Sequence, residues 1–435
     1  EDIAGLGESD LSGVEAGLSK LYQERDTIDS EIREIIEKKR ELLESMWINL
    51  NVNELFHKIQ SYFGATSSTI MFSGWLPVSN RKTIEKAIVN ITGGRCYLEW
   101  NDPVKLENSG YKNMEAPVQL KNPGFLSPFQ WLVQNFSIPE YGTIDPTLFL
   151  AISYLIMFGL MFGDAGHGAV LALAGITGSI MFKDRSAAYY TLSKLIIWCG
   201  AFAMITGVLF GEYFGTKWLK PLWIDYAGIV EGHAVETGFI RDINGLLSLT
   251  IYFGIFIIGF GLILSLINKI RQRKWRELAF DKGGILGGWM YCAGVYTALY
   301  FINRGYTELP PAGRLFWLLG APSIMLLLNP LMEYLPVQGE KPHSKFTVFA
   351  LFELSLTWAV ELLDIFSGFL SNTLSFMRIA GYGIAHISLM AVIFDFARSV
   401  GGGGSTYTGW SYIILIFGNI LVISLEGLLA GVQSL

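Results

Sequence analysis

Cysteine, charge and basic surface are all scarce in this chain. Its 435 residues include three cysteines, Cys96, Cys199 and Cys292. They are too few and too scattered for a disulfide framework or the paired spacing of a zinc site. Only 16% of residues are charged and the net charge is −6. Without a clustered basic face, the electrostatic footprint of a nucleic-acid binder is missing. No short apolar stretch with a cleavage site opens the sequence, so no signal peptide is visible. No nucleophile–base constellation stands out. What the chain has in excess is apolar: 51% of it is hydrophobic and its mean hydropathy is +0.40.

Charge divides the chain in two. Residues 1–146 carry 14 basic and 21 acidic side chains, whereas residues 147–435, about twice as many, carry 18 and 17. An acidic, water-soluble part is followed by a nearly neutral, lipid-soluble one. In the first part, positions 11, 14, 18, 21, 25, 28, 32, 35, 39, 42 and 46 are apolar in nine cases of eleven, broken only by Arg25 and Lys39. Alternating spacings of three and four make this a heptad seam of about five repeats. A seam needs a partner, and the partner strand is expected upstream of Glu1, in a chain truncated at its N-terminus. Residues 50–120 mix short apolar runs with turn signals at Phe63-Gly64, Gly74–Pro77, Gly93-Gly94 and Asn101–Pro103. They read as a small α/β lobe. The expected organisation is a cytoplasmic coiled-coil arm and lobe over 1–120, an irregular Pro-punctuated linker over 121–146, and a membrane domain over 147–435.

From Thr147 the sequence contains eight apolar spans, near 147–163, 165–182, 190–214, 244–268, 280–302, 312–333, 347–398 and 409–435. Each approaches or exceeds the ~17–25 residues that cross ~30 Å of hydrocarbon. The fold class expected is thus an α-helical polytopic membrane protein of about eight transmembrane helices, the last two long and tilted. The seventh span is too long for one perpendicular crossing and must tilt or begin at the interface. Lys269, Arg271, Arg273, Lys274 and Arg276 crowd the connection between the fourth and fifth spans. By the positive-inside rule that side is cytoplasmic. Counting outward puts the N-terminal domain and the C-terminus there too and makes Gly401–Gly404 an external loop. Lys183 and Arg185 agree; Arg241, Arg304 and Arg314 weaken the bias without reversing it.

Each intramembrane charge costs at least ~2.5–3.5 kcal/mol by insertion scales and needs a reason. On a wheel of about 100° per residue, Asp364, Ser371, Ser375, Tyr382, His386 and Glu353 all project within about 80° of Arg378. In the last span Asn419, Glu426 and Gln433 recur every seven residues on one face. The two helices read as walls of one polar pathway, with Glu426 the acidic counterpart of Arg378. A buried ion pair would explain two residues; a ladder of hydroxyls, carboxylates and an imidazole suits proton or ion transfer. Phe162–Gly168 resembles a Gly-rich phosphate loop but lacks the Lys-Ser/Thr ending. It reads better as a tight turn through Gly163, Asp164, Gly166, His167 and Gly168, with Asp164 capping the helix that follows. His167 and His233 have no metal-ligand companions at suitable spacing, so no bound metal or cofactor is expected. Glu212 and Glu333 are read as interfacial residues at span ends.

These residues resemble a known family: the membrane subunit called a in eukaryotic V-type ATPases and I in archaeal and bacterial V/A-type ATPases. Gly74-Trp75-Leu76-Pro77 is similar to its GW-x-P signature, and Pro139–Thr147 to its P-x-Y-x-x-x-D-P-T approach to the membrane. Met161–Gly168 is similar to its M-F-G-D-x-G-H-G turn, and Leu374–Ala380 to the segment whose arginine faces the rotating c-ring. His386 and Glu426-Gly427 fall where many members place a His and an E-G pair. A second family arginine would follow directly after Leu435. Phe376 and Ile379-Ala380 depart from the usual Tyr and Leu-Trp.

The resemblance implies a non-catalytic, ion-translocating stator subunit, carrying H⁺ or Na⁺ through two offset half-channels. Arg378 would favour the ionised carboxylate of each passing ring subunit and, being permanently charged, block leakage. Asp364, His386 and Glu426 would line a half-channel. Implied partners are the rotor ring (subunit c, K or L), peripheral stalk subunits E and G, central stalk subunit d or C, and membrane lipid. The short external loops favour a prokaryotic cell membrane. Two other readings are a secondary transporter, which should show an internal repeat, and a structural tether, which leaves the polar stripe without a use.

Overall fold

The computed structural model describes residues 8–101, 116–231, 240, 242–304, 307–334, 348–401 and 408–435. Two compact units divide the chain, residues 1–116 and 117–435.

In the first unit, helix α1 (Glu8–Gln60) runs for 53 residues. Leu21, Ile28, Ile35 and Leu42 of the heptad seam are all more than half exposed. Ion pairs Lys38–Glu34 and Arg40–Glu44 lie along its polar side at i,i+4 spacing, where they add a few tenths of a kcal/mol each. A two-stranded antiparallel ribbon, β1 (Gly64–Ala65) and β2 (Ile70–Met71), follows. Helix α2 (Arg81–Thr92) then ends on Gly93 in the left-handed conformation. Among its described side chains this unit buries none.

The second unit is helical, with one large apolar core cluster and a second, smaller one. Residues 121–146, expected as an irregular linker, contain helix α3 (Ser127–Phe136), whose Phe129 is buried edge-on against Tyr154. The segment before the first membrane helix is pinned by polar contacts. Asn122 donates to Asp145 at 2.7 Å, and the amide of Ile144 donates to Asn268 at 2.9 Å.

The first two apolar spans fold as α4 (Thr147–Met161) and α5 (Ala165–Met181), of 15 and 17 residues. At 1.5 Å per residue they are about 22 and 26 Å long, short of a ~30 Å hydrocarbon core. Helix α6 (Ala187–Phe210) packs along both. Its approach to α5 is backbone to backbone. A Cβ at Gly168 would come within 2.7 Å of the Met204 nitrogen and 2.8 Å of the Gly200 oxygen, so only glycine fits, as at close helix crossings in membranes. A hairpin of β3 (Glu212–Tyr213) and β4 (Thr216–Lys217) follows, then α7 (Tyr226–Glu231).

Helix α8 (Ile243–Gln272) is capped by Asp242, which accepts from the Gly245 amide at 3.1 Å. Lys269 and Arg271 in its last turn complement the helix dipole. After α9 (Trp275–Phe280) and α10 (Ile285–Asn303), the 312–334 region is built from α11 (Ala312–Leu315), a π turn at Phe316–Gly320, α12 (Ala321–Leu326) and α13 (Leu328–Tyr334). The seventh apolar span divides into α14 (Val348–Ser375) and α15 (Arg378–Val400). The last helix, α16 (Gly409–Gln433), opens with a capping box of Thr408 and Ser411. Among the described residues, six stretches are long and apolar enough to cross a membrane: 187–210, 243–272, 275–302, 312–331, 352–400 and 409–433.

Candidate functional site

Helix α16 places a polar side chain on one face every seven residues, about 10.5 Å apart along its axis. Each meets a partner from another element. Asn419 Oδ1 is 2.6 Å from His167 Nε2, Glu426 Oε2 is 2.5 Å from His386 Nδ1, and Gln433 Oε1 accepts from Arg378 Nη1 at 2.7 Å. These contacts form three rungs of one buried ladder, with α15 antiparallel to α16 and supplying two of them.

The wheel drawn from the sequence needs correction here. Around Phe376-Met377 three i→i+3 bonds interrupt the α-helical ladder: Phe376 to Thr373, Met377 to Leu374 and Ile379 to Phe376. Phe376 turns onto α8 instead, edge-on to Phe253. Arg378 is thus the first residue of α15 rather than the middle of a long helix. The polar stripe does not continue through the break. Asp364 on α14 is exposed and pairs with Lys282 at 3.2 Å; Glu353 and Ser371 are exposed as well. Ser375 and Tyr382 are half-buried beside the break. The partners also change: Glu426 pairs with His386, and Arg378 with Gln433.

The top rung rests on the glycine-rich turn. Asp164 caps α5 as expected, its Oδ1 accepting from the His167 amide at 2.8 Å. It does more than cap. The same carboxylate accepts from the amides of Phe214 at 3.0 Å and Gly215 at 2.7 Å, fastening the hairpin tip to α5. Phe214 and Gly215 have φ of 50° and 67°, a two-residue turn with both residues left-handed. That is strained for phenylalanine, and the Phe214 ring sits edge-on to His167 with centroids 5.5 Å apart. Asn-Gly would have announced such a turn; Phe-Gly does not.

The two histidine rings lie 5.4 Å apart and nearly perpendicular, with Phe162 beside both. Asp164, His167 and His386 are all buried, and one ligand atom from each lies within 4.8 Å of the others. His167 is therefore not a lone histidine; its companion comes from α15, which no local spacing could show. Glu212, expected at the interface, is buried at 1% exposure. The hairpin folds it inward. His233 and the Glu333 side chain lie outside the described residues, as does most of the Gly401–Gly404 run.

Fold and site together define a polytopic helical membrane protein with a buried ladder of charged and titratable groups. Residues 7–220 match the model of the V-type ATPase 116kDa subunit family. It is 26% identical over its whole length to an A-type ATP synthase subunit I of Methanothermobacter thermautotrophicus, of which it spans 58%. It is 27% identical to V-type ATP synthase subunit I 2 of Treponema pallidum over 58% of each chain. Over 39% of its length it is 34% identical to an A-type ATP synthase subunit I of Pyrococcus horikoshii, 24% of that protein. The chain thus spans less than two thirds of each of these curated relatives.

Proposed function

We propose that this chain is the membrane-embedded, non-catalytic stator subunit of a V/A-type rotary ATPase and carries H⁺ or Na⁺ past a rotor ring. The observation that carries the reading is the ladder, and above all Arg378 at the break between α14 and α15. Its guanidinium keeps one donor, Nε, buried without a partner, while Nη1 is held by Gln433. A permanently charged, incompletely satisfied donor can bind the ionised carboxylate of each passing ring subunit, displace its ion and bar direct leakage. The His386–Glu426 rung, about 10.5 Å along α16, is the relay on one side of that arginine. The membrane potential then biases rotation by ~2.3 kcal/mol per charge per 100 mV.

The supporting parts fit the same reading. An eight-crossing topology requires α4 and α5 to act as two short crossings packed inside the bundle. The Pro139–Thr147 segment is tied to the basic end of α8, with Glu140 accepting from Lys274 at 2.9 Å and Gln272 at 3.0 Å. That end is the cytoplasmic one, so both termini face the cytoplasm of a prokaryotic cell. The exposed seam of α1 suits a coiled-coil arm contacting peripheral stalk subunits E and G and central stalk subunit d or C, with rotor subunit c, K or L in the membrane. The test is ATP-driven ion pumping by the assembled complex in vesicles. Arg378→Ala and Arg378→Lys should both abolish pumping with assembly intact; normal pumping in Arg378→Ala overturns the proposal.

A further inference from the structure

His167 and His386 each present an unanswered lone pair beside the Asp164 carboxylate. Asn419 Nδ2 donates to the Leu415 carbonyl at 2.7 Å, which turns its Oδ1 toward His167. His167 Nε2 must then carry the proton, and its Nδ1 keeps a lone pair. In the same way, His386 Nδ1 donates to the Glu426 carboxylate, and its Nε2 keeps a lone pair. Both of these nitrogens are buried without a hydrogen-bond partner, in rings 0% and 2% exposed. Beside them stands Asp164, its Oδ2 3.6 Å from His167 Nδ1. Two buried acceptor nitrogens without donors thus stand beside a carboxylate that already accepts from the amides of His167, Phe214 and Gly215, and a buried lone pair left unanswered is costly unless a cation meets it.

We infer that Asp164, His167 and His386 bind a divalent transition-metal ion of the zinc class. Imidazole nitrogens suit zinc, copper, nickel or iron, whereas calcium and magnesium need a cage of oxygens. Two histidines and a carboxylate supply three ligands and leave a fourth position for water. The ligand atoms stand within 4.8 Å of one another, so a bound ion would draw the α5 turn and α15 closer together. The surroundings are those of a metal site as well. Each ring's other nitrogen is already held by a carboxylate or an amide, which fixes tautomer and orientation in the manner of metal-bound histidines. Glu426 keeps 13% of its side chain exposed, so the site reaches the molecular surface through this carboxylate. A bound ion would tie the α5 turn to α15. Binding stands apart from the proposed function; only its consequence, immobilising His386 and slowing translocation, rests on that reading.

The test uses the whole assembled complex in nanodiscs, stripped with a chelator and titrated with Co²⁺ and then Zn²⁺. The wild type should bind one ion per copy of this chain and show the intense visible bands of a four-coordinate Co²⁺ site. X-ray absorption on the Zn²⁺ form should show two imidazoles at about 2.0–2.1 Å. His167→Gln and His386→Gln should each lose the bands, and Asn419→Leu should weaken binding roughly 10–100-fold. Arg378→Ala, which tests pumping, should bind as the wild type does, so the two proposals fail separately. Absence of the Co²⁺ bands and of the imidazole shell in the wild type overturns the inference, with no need for any variant to assemble. Equal binding by both histidine variants overturns it as well.

Discussion

On α14, Asp364 stands exposed and reaches Lys282 at 3.2 Å. On α15, eight residues beyond Arg378, His386 is instead buried and bonded to Glu426 at 2.5 Å. The two helices come from one apolar run, and their polar residues share a spacing. What separates them is what packs against each. Helix α15 lies against α4, α7 and α16 within the large core. Helix α14 joins a smaller cluster of Leu286, Met290, Leu326 and Ile365, which leaves its acidic side open. A carboxylate costs little where water or a partner surface can reach it and much where it cannot. Polarity at helical spacing therefore marks a face, and the neighbours decide whether that face becomes a buried pathway.

The contrast can be broken most severely at the buried rung. Glu426→Ala should destabilise the protein by about 1–3 kcal/mol, because the buried Nδ1–H of His386 is left without its acceptor; thermal unfolding in detergent reads the loss. An effect under about 1 kcal/mol would place the pair with the exposed bridges of α14. Next, Gly168→Val forces a branched side chain into the Met204 and Gly200 backbones and should cost at least the ~1–3 kcal/mol of an overpacked core. The same unfolding assay checks it, and a neutral result would mean that α5 and α6 separate freely. Asp364→Asn is the counterpart on α14. Its exposed bridge should be worth no more than about 1 kcal/mol, and a loss as large as that of Glu426→Ala would erase the distinction between the two helices.

The smallest expected effect lies outside the spans, at Glu140. Hydrogen bonding from Lys274, against partial burial and with help from Gln272, holds this carboxyl below the usual range. A lowered value in the folded state means that the bridge stabilises above the ordinary pKa and that its contribution fades as pH falls through the folded value. Glu140→Gln should therefore flatten a slight acid sensitivity of the wild type between about pH 5 and 3, read as unfolding temperature against pH. An unchanged slope would show that the bridge does not hold the segment to α8.

The hydropathy of residues 147–435, the seven-residue recurrence of Asn419, Glu426 and Gln433, and Asp164 as a helix cap were all legible in the amino-acid order. Each depends on composition or on contacts within one helix, where spacing converts directly into geometry. Pairing was not legible. Arg378 looked like the partner of Glu426, and His167 looked alone, because rungs join residues 40 to 252 positions apart. The break at Phe376-Met377 likewise carries no proline or glycine to announce it; it exists where Phe376 finds α8. Glu212 was placed at an interface because only the Phe214-Gly215 turn, fastened by Asp164, folds it inward. Local order thus determined which residues are polar, which are helical and which share a face. The tertiary packing decided which carboxylates are buried and which histidines meet, because burial and partnership belong to the neighbours that the fold brings in from distant parts of the chain.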